Sequence, residues 1–287
     1  MILVDLNQVM ISNLMMQPGI SKHVDENMVR HMVLNALRSY NVKFKQDYGE
    51  MIICADDKNY WRRDLFPYYK ASRKKERNAS PYDWALIFDV LHKIKDELKE
   101  NFPYKVVQVS GAEADDVIGT LCHKYGVFLK NSETERILIL SSDKDFMQLQ
   151  KFVNVDQYSP MAKKFIRPEC NPHAFLCEHI IRGDRGDGIP NILSRDDTFV
   201  SESRQKPISS KKLYTWLQQE PKEFCSDEML RNYDRNQMLI DLAKIPEELQ
   251  DSIVDEYESA PSRDRSKLFN YFIKNKMKHL MEHLQEF

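Results

Sequence analysis

Short apolar runs alternate along the first half of the chain with longer stretches in which apolar residues return at helical spacing. The runs are "MILVD" (1–5), "EMIICAD" (50–56), "YKVVQV" (104–109) and "RILILSS" (136–142). Helical spacing fills 26–41, 82–99 and 113–125 between them, and Ser80 precedes the second of these as an N-cap. Strand, helix and strand in repetition predict an α/β fold: a central, mostly parallel sheet with helices on both faces. After Tyr158 the alternation stops, and helical patterns follow at 171–182, 209–219, 226–243 and 265–286. The expected organisation is an α/β domain over 1–183 and a smaller helical region over 184–287. The polar, weakly periodic stretch 191–212 predicts a mobile loop. The chain carries no internal repeat.

Composition narrows the class further. With 287 residues, of which 42% are apolar, the chain can bury a sizeable core. Forty-two basic residues nearly balance 44 acidic ones, so no global field selects nucleic acid or membrane, and evidence for either must be local. The five cysteines, Cys54, Cys122, Cys170, Cys177 and Cys225, are scattered in a way that fits neither a disulfide framework nor zinc-ligand spacing. The apolar start lacks a basic leading region and a cleavage site, and no later run approaches a membrane span. A soluble, unprocessed protein of a reducing cytoplasm is expected.

The carboxylates change the picture. In an open parallel sheet the functional crevice lies beyond the carboxyl ends of the strands, and every predicted strand ends in acid. Asp5 closes the first and Asp56 and Asp57 the second. Glu113, Asp115 and Asp116 open the helix after the third, and Asp143 and Asp145 follow the fourth. Two such charges about 6 Å apart repel by roughly 3 kcal/mol at an effective dielectric near 20. A dense set of hard oxygen donors with no histidine or cysteine among them suits Mg²⁺ or Mn²⁺. For Asp143 alone, capping the helix that follows is the simpler expectation, and for Asp57, solvation. Neither accounts for acid at all four strand ends.

Directly after Asp56 comes "YWRRDLFPYYKASRKKER" (60–77), in which Arg62, Arg63, Lys70, Arg73, Lys74, Lys75 and Arg77 face only Asp64 and Glu76. Tyr60, Trp61, Phe66, Tyr68 and Tyr69 are interleaved with them. Basic side chains neutralise phosphates and aromatic faces stack on bases, so the segment suits a nucleic-acid strand passing the acidic rim. "IIRGDRGDGIPNI" (180–192) adds Asp184 and Asp187 in a glycine-rich turn. That turn is either an ordinary tight turn or an extension of the metal site. "HLMEH" (279–283) matches a zinc-peptidase pattern, but its place at the chain end makes His279 and His283 a helix face.

"CADD", "YWRRDLFPYYKASRK", "AEADDVIG", "SSDKDFMQL" and "GDRGDGIPNI", in this order and spacing, resemble the flap endonuclease superfamily of structure-specific 5′-nucleases. The likeness extends over nearly the whole chain and is greatest toward the ribonuclease H branch found in T-even-type bacteriophages. It implies a PIN/5′-nuclease-like fold and an enzyme that removes RNA primers and short 5′ flaps during lagging-strand synthesis. Carried over by motif, Asp5, Asp56, Glu113, Asp115, Asp143 and Asp145 would hold a first Mg²⁺, with Mn²⁺ as a substitute. Asp116, Asp184 and Asp187 would serve a second. Lys70 and Arg73 would steady the scissile phosphate with Arg62 near them, and Arg62, Arg63, Lys70, Arg73, Lys74 and Lys75 would contact nucleic acid in a basic arch over 60–80. RNA:DNA and flap duplexes are the implied partners, together with a single-stranded-DNA-binding protein, for a monomer in a bacterial host cytoplasm. The short lead before Asp5 argues against clamp binding by an N-terminal extension, and "LSRDDTFVSESRQKP" against a K⁺ site.

Three other classes compete. A DNA-junction binding module would keep the scaffold without chemistry. A haloacid-dehalogenase-type phosphatase needs a second Asp two residues after the first, where the chain has Asn7. A simpler PIN-type ribonuclease would lack the long basic segment.

Overall fold

The computed structural model describes residues 1–15, 25–201, 203–261 and 264–287. Its centre is a sheet of β1 (Ile2–Asp5), β2 (Met51–Cys54), β3 (Lys105–Val107), β4 (Ile137–Leu140), β5 (Val155–Ser159) and β6 (Lys164–Ile166). The strand order is β3-β2-β1-β4-β5-β6. The first five strands are parallel and β6 pairs antiparallel with β5. Side chains alternate between faces along each strand. Ile2 and Val4 therefore join Ile53, Val106, Leu138 and Leu140 on one face, while Leu3 joins Ile52, Cys54, Val107, Ile137 and Ile139 on the other. Both faces are apolar, which is why the strands read as unbroken apolar runs.

The first face is covered by α1 (Leu6–Met15), α2 (Glu26–Tyr48) and α5 (Trp84–Asn101). Its core also takes in α12 (Leu268–Lys274), α13 (Lys278–Met281) and the side chain of Phe287. The second face is covered by α6 (Ala114–Tyr125), α11 (Glu247–Ser259) and a 3₁₀ helix, Lys144–Lys151. A third core joins Phe66 and Tyr69 to α7 (Pro172–Arg182), α8 (Ser210–Trp216) and α10 (Asp227–Ile240). The short helices α3 (Trp61–Leu65), α4 (Ser72–Ala79) and α9 (Pro221–Phe224) complete the chain. The first strand lies between β2 and β4, so the connections leave its carboxyl end in opposite directions and open a crevice there.

Several expectations are corrected. The N-cap of α5 is Asp83, whose side chain accepts from Leu86 N at 3.0 Å; the Ser80 hydroxyl instead accepts from Trp84 Nε1 at 2.7 Å. The final helical pattern breaks into α12, α13 and a 3₁₀ turn, Leu284–Glu286. The stretch 191–209 is irregular among its described residues, yet it is tied down. Asn191, Ser194 and Thr198 are buried, and Asn232 Nδ2 donates to Ile192 O at 3.0 Å. No described helix is long and apolar enough to cross a membrane.

Candidate active site

Four separate elements deliver carboxylates to the crevice beyond β1. Asp5 ends β1, and Asp56 lies two residues past β2. Asp115 stands in the first turn of α6, and Asp143 caps the 3₁₀ helix after β4. They line one cleft of about 840 Å³ together with Glu113, Lys70, Arg63, Arg73 and Arg77. Hydrogen bonds hold Asp5, Asp56 and Asp143 in place. Asp5 Oδ1 accepts from Gln8 N and Oδ2 from the Ser141 hydroxyl, both at 3.0 Å. Asp56 accepts from Ala114 N at 2.7 Å and from Asn7 Nδ2 at 2.6 Å, and Asp143 Oδ1 accepts from Asp145 N at 3.0 Å. Asp143 is thus both the helix cap and a wall of the cleft.

Lys70 offsets only part of the charge of this group, at Asp56 and Asp115. Among the described residues, Asp5, Asp56, Asp115 and Asp143 form no ion pair with a lysine or arginine. Burial, reinforced by the charges of Asp56 and Asp143, pushes the Asp5 carboxyl up to about 7. Burial and the neighbouring Asp145 push Asp143 up to about 6, and burial with Asp143 and Asp5 nearby raises Asp115 well above its ordinary value. Such a group favours protons or a cation. Among the described residues, no three of these carboxylates offer oxygens within 4.8 Å of one another. One or two direct carboxylate bonds, completed by water, is the arrangement Mg²⁺ prefers.

The remaining acids are already partnered. Glu113 is buried and receives Lys70 Nζ, Tyr69 Oη at 2.8 Å and Arg62 Nη1 at 3.2 Å. Burial raises its pKa, but Lys70 and Arg62 outweigh that and leave it below its usual value. Asp187 takes Arg73 Nη2 at 2.6 Å and Tyr69 Oη at 3.0 Å, with Lys70 Nζ at 3.6 Å. Asp57 accepts from Gly111 N at 3.0 Å and pins the loop before α6.

Lys70 owes its position to an unusual backbone. Its φ is +55°, in the left-handed region that non-glycine residues seldom enter. Its N–H donates to Asp187 O at 2.7 Å. The glycine-rich turn can come this close because Gly188, at φ +73°, has no side chain. A Cβ there would stand 2.9 Å from Tyr68 O.

The geometry differs from the expected ligand sets at several residues: Glu113 and Asp187 are engaged by Arg62, Lys70 and Arg73, Asp145 gathers with His179 and Asp184, and Asp116 and Arg62 turn inward. Asp116 is wholly buried and turned inward: its Oδ1 meets Arg62 Nη1 at 2.7 Å, and its Oδ2 accepts from Glu113 N at 2.9 Å and Trp61 Nε1 at 3.2 Å. This carboxylate closes a capping box instead of facing a cation. Arg62 is 2% exposed, with Nε on Leu239 O at 2.9 Å. It supports Glu113 and Asp116 from beneath and cannot touch a phosphate. The aromatic residues differ from expectation as well: Phe66 and Tyr69 are core, and the Trp61 indole is engaged with Asp116. Arg63, Arg73 and Arg77 do line the cleft, and Lys74 and Lys75 are exposed.

Sequence reasoning missed one residue. His179 of α7 projects between Asp145 and Asp184, its Nε2 3.2 Å from Asp145 Oδ1 and 3.3 Å from Asp184 Oδ2. Lys144 Nζ also reaches Asp184 Oδ2, at 2.9 Å. The acidic assembly therefore does contain a histidine. Its signal in the sequence was its place on the helix that leads into the Gly183–Asp184 turn. His279 is exposed and His283 pairs with Glu286 at 2.9 Å, so "HLMEH" forms no such group.

The chain matches two family models in succession: the 5′-3′ exonuclease N-terminal resolvase-like domain over residues 2–172, and the T4 RNase H C-terminal domain over 172–287. It is 32% identical to the ribonuclease H of Enterobacteria phage T4, across 99% of this chain and 95% of that protein. The chain belongs to the 5′-3′ exonuclease family. It is accordingly a hydrolytic nuclease. A 5′-3′ exonuclease of Buchnera aphidicola is 29% identical over about half of each chain. Among solved structures, the bacteriophage T5 D15 protein crystallised with metal ions shares the fold, with a TM-score of 0.60 and 18% identity over 91% of this chain and 99% of that one. A complex of the T5 D15 flap endonuclease with DNA and metal ions matches with a TM-score of 0.59 and 16% identity, over 90% and 98% of the two chains.

Proposed function

We propose that this nuclease is Mg²⁺-dependent, works with two cation groups, and removes RNA primers and adjacent DNA from the 5′ ends of RNA:DNA and flap duplexes during lagging-strand replication. The observation that carries this reading is the cleft where, among the described residues, Asp5, Asp56, Asp115 and Asp143 converge without a direct ion pair to lysine or arginine. Hard oxygen donors at this density fit Mg²⁺, or Mn²⁺ in its place. When bound, two such cations activate a water and stabilise the leaving oxygen of an in-line displacement.

The protein's own groups supply the rest. Asp5, Asp56, Asp115 and Asp143 hold the first group, and Asp145 and Asp184 hold the second. Glu113 and Asp187 orient Lys70 and Arg73 toward the cleft, where a positive head beside the scissile phosphate balances charge that grows in the transition state. Arg63 and Arg77 line the same wall and neutralise neighbouring phosphates, with Lys74 and Lys75 at the rim. Duplex contact extends onto the helical region 184–287, where Arg185, Lys206, Lys211 and Lys212 are exposed. One copy carries the full constellation, so the protein acts as a monomer. A single-stranded-DNA-binding protein is its expected partner, in a bacterial host cytoplasm.

The test is cleavage of two 5′-labelled substrates, a duplex with a short 5′ flap and an RNA:DNA hybrid, each with Mg²⁺ and with chelator. Short products that require Mg²⁺ on both substrates are expected. Cleavage that persists in chelator, or that spares the hybrid, would contradict the proposal.

A further inference from the structure

Within the second acidic group, one ligand atom from each of Asp145, His179 and Asp184 lies within 4.8 Å of the others. His179 is 7% exposed. Its Nε2 and Asp145 Oδ1 are both buried without a well-directed hydrogen bond. The ring is held by stacking on Phe175, one helical turn earlier, with centroids 5.8 Å apart and planes at 8°. The nitrogen is therefore fixed in ion-pair range of two carboxylates, as their counter-ion when protonated.

The spacing has a chemical meaning. Around a cation with bonds of about 2.1 Å, neighbouring ligand atoms stand roughly 3.0 Å apart in an octahedron and roughly 3.4 Å apart in a tetrahedron. The two contacts of Nε2, at 3.2 and 3.3 Å, fall between these. Asp184 Oδ1 is taken by Gly186 N at 2.7 Å and Asp187 N at 3.2 Å, which leaves Oδ2 to face the gap. Lys144, whose side chain is 53% exposed, is free to swing away from that oxygen.

We propose that His179 is a nitrogen ligand of the Asp145–Asp184 cation group, and that it makes this group selective for Mn²⁺, Co²⁺ or Zn²⁺ over Mg²⁺. The inference rests on the two-cation reading above and gives its two groups different chemistry. One imidazole beside two carboxylates suits borderline transition ions, whereas Mg²⁺ keeps to oxygen and water. The imidazole binds in its neutral form and releases its proton to solvent.

Pulsed electron paramagnetic resonance of the intact protein loaded with two equivalents of Mn²⁺ tests this without a variant. Modulation from a directly bound ¹⁴N is expected. Its absence, with two Mn²⁺ bound, overturns the inference. In parallel, calorimetric titration with Zn²⁺ compares wild type with His179→Gln, each first confirmed to be folded by circular dichroism. Affinity should fall at least tenfold, the lower end of the loss when a supporting partner of a metal ligand is removed. Equal Zn²⁺ affinity would show His179 to be a counter-ion only. Mg²⁺-dependent cleavage by wild type is scored separately. Missing nitrogen modulation with cleavage intact rejects only the ligand role of His179, whereas absent cleavage rejects the two-cation nuclease reading itself.

Discussion

Replacing Asp5 with asparagine should make the metal-free protein more stable while removing its cutting activity. Burial and the charges of Asp56 and Asp143 push the Asp5 carboxyl up to about 7, against about 3.8 for an ordinary aspartate. Between those values the folded state holds a proton that the unfolded chain has released, so stability falls as pH rises through the window. A shift of about three pH units corresponds to roughly 4 kcal/mol once the group is fully ionised. Burial is the largest part of that shift and the repulsion is shared with Asp56 and Asp143, so about half of it, ~2 kcal/mol, is the gain expected for Asp5→Asn. For a chain of this size that raises the melting temperature by about 4–8 °C. The assay is thermal unfolding followed by circular dichroism in chelator at pH 5 and pH 8. The gain should be full at pH 8 and reduced to somewhat over a third of that at pH 5, where folded Asp5 is neutral but the unfolded carboxyl has already ionised. Mg²⁺ at pH 8 should stabilise wild type more than the variant. Destabilisation at pH 8, or an equal gain at both pH values, would refute the claim that Asp5 is held against repulsion for the sake of a cation.

Other perturbations separate support from chemistry. Lys70→Ala should lower the single-turnover cleavage rate by about 10²–10³, the loss typical of one transition-state donor, with duplex affinity changed much less. A loss confined to affinity would make Lys70 a backbone contact only. Arg62→Met should destabilise by about 3–5 kcal/mol in denaturant unfolding, since it strands Glu113 and Asp116 without their buried cation; near-wild-type stability would mean those acids find another partner. Gly188→Ala drives a Cβ toward Tyr68 O. Cleavage should fall with it as Lys70 shifts, and an unchanged rate would show that the turn does not set that position.

The parts of the fold legible in the sequence were those with uniform environments. The first, second and fourth strands are apolar on both faces, and their runs stand out. The fifth, "VDQYS", was missed because it buries Asp156, Gln157 and Ser159, whose polar side chains hide its burial. The sixth is an exposed edge of three residues. At the site, the convergence of strand-end acids followed from topology, because parallel strands bring their carboxyl ends to one edge. Direction did not follow. Asp115 and Asp116 are neighbours, yet successive helix residues point about 100° apart, so only one can face the cleft. Arg62 was misassigned for the same reason, since α3 turns it under Glu113. His179 escaped because nothing near it in sequence marks that α7 packs against the 3₁₀ helix carrying Asp145.

The most direct test of the account is cleavage and binding measured together for Asp143→Asn on a 5′-flap duplex in Mg²⁺. The amide can still accept the hydrogen bond from Asp145 N that caps the 3₁₀ helix, so fold and duplex affinity should stay within about threefold of wild type. Single-turnover cleavage should drop by orders of magnitude as the carboxylate charge is lost from the cation group. Cleavage at the wild-type rate, with Mg²⁺ still required, would show that the cation is held elsewhere and that the acids at the sheet edge are not the centre of the chemistry.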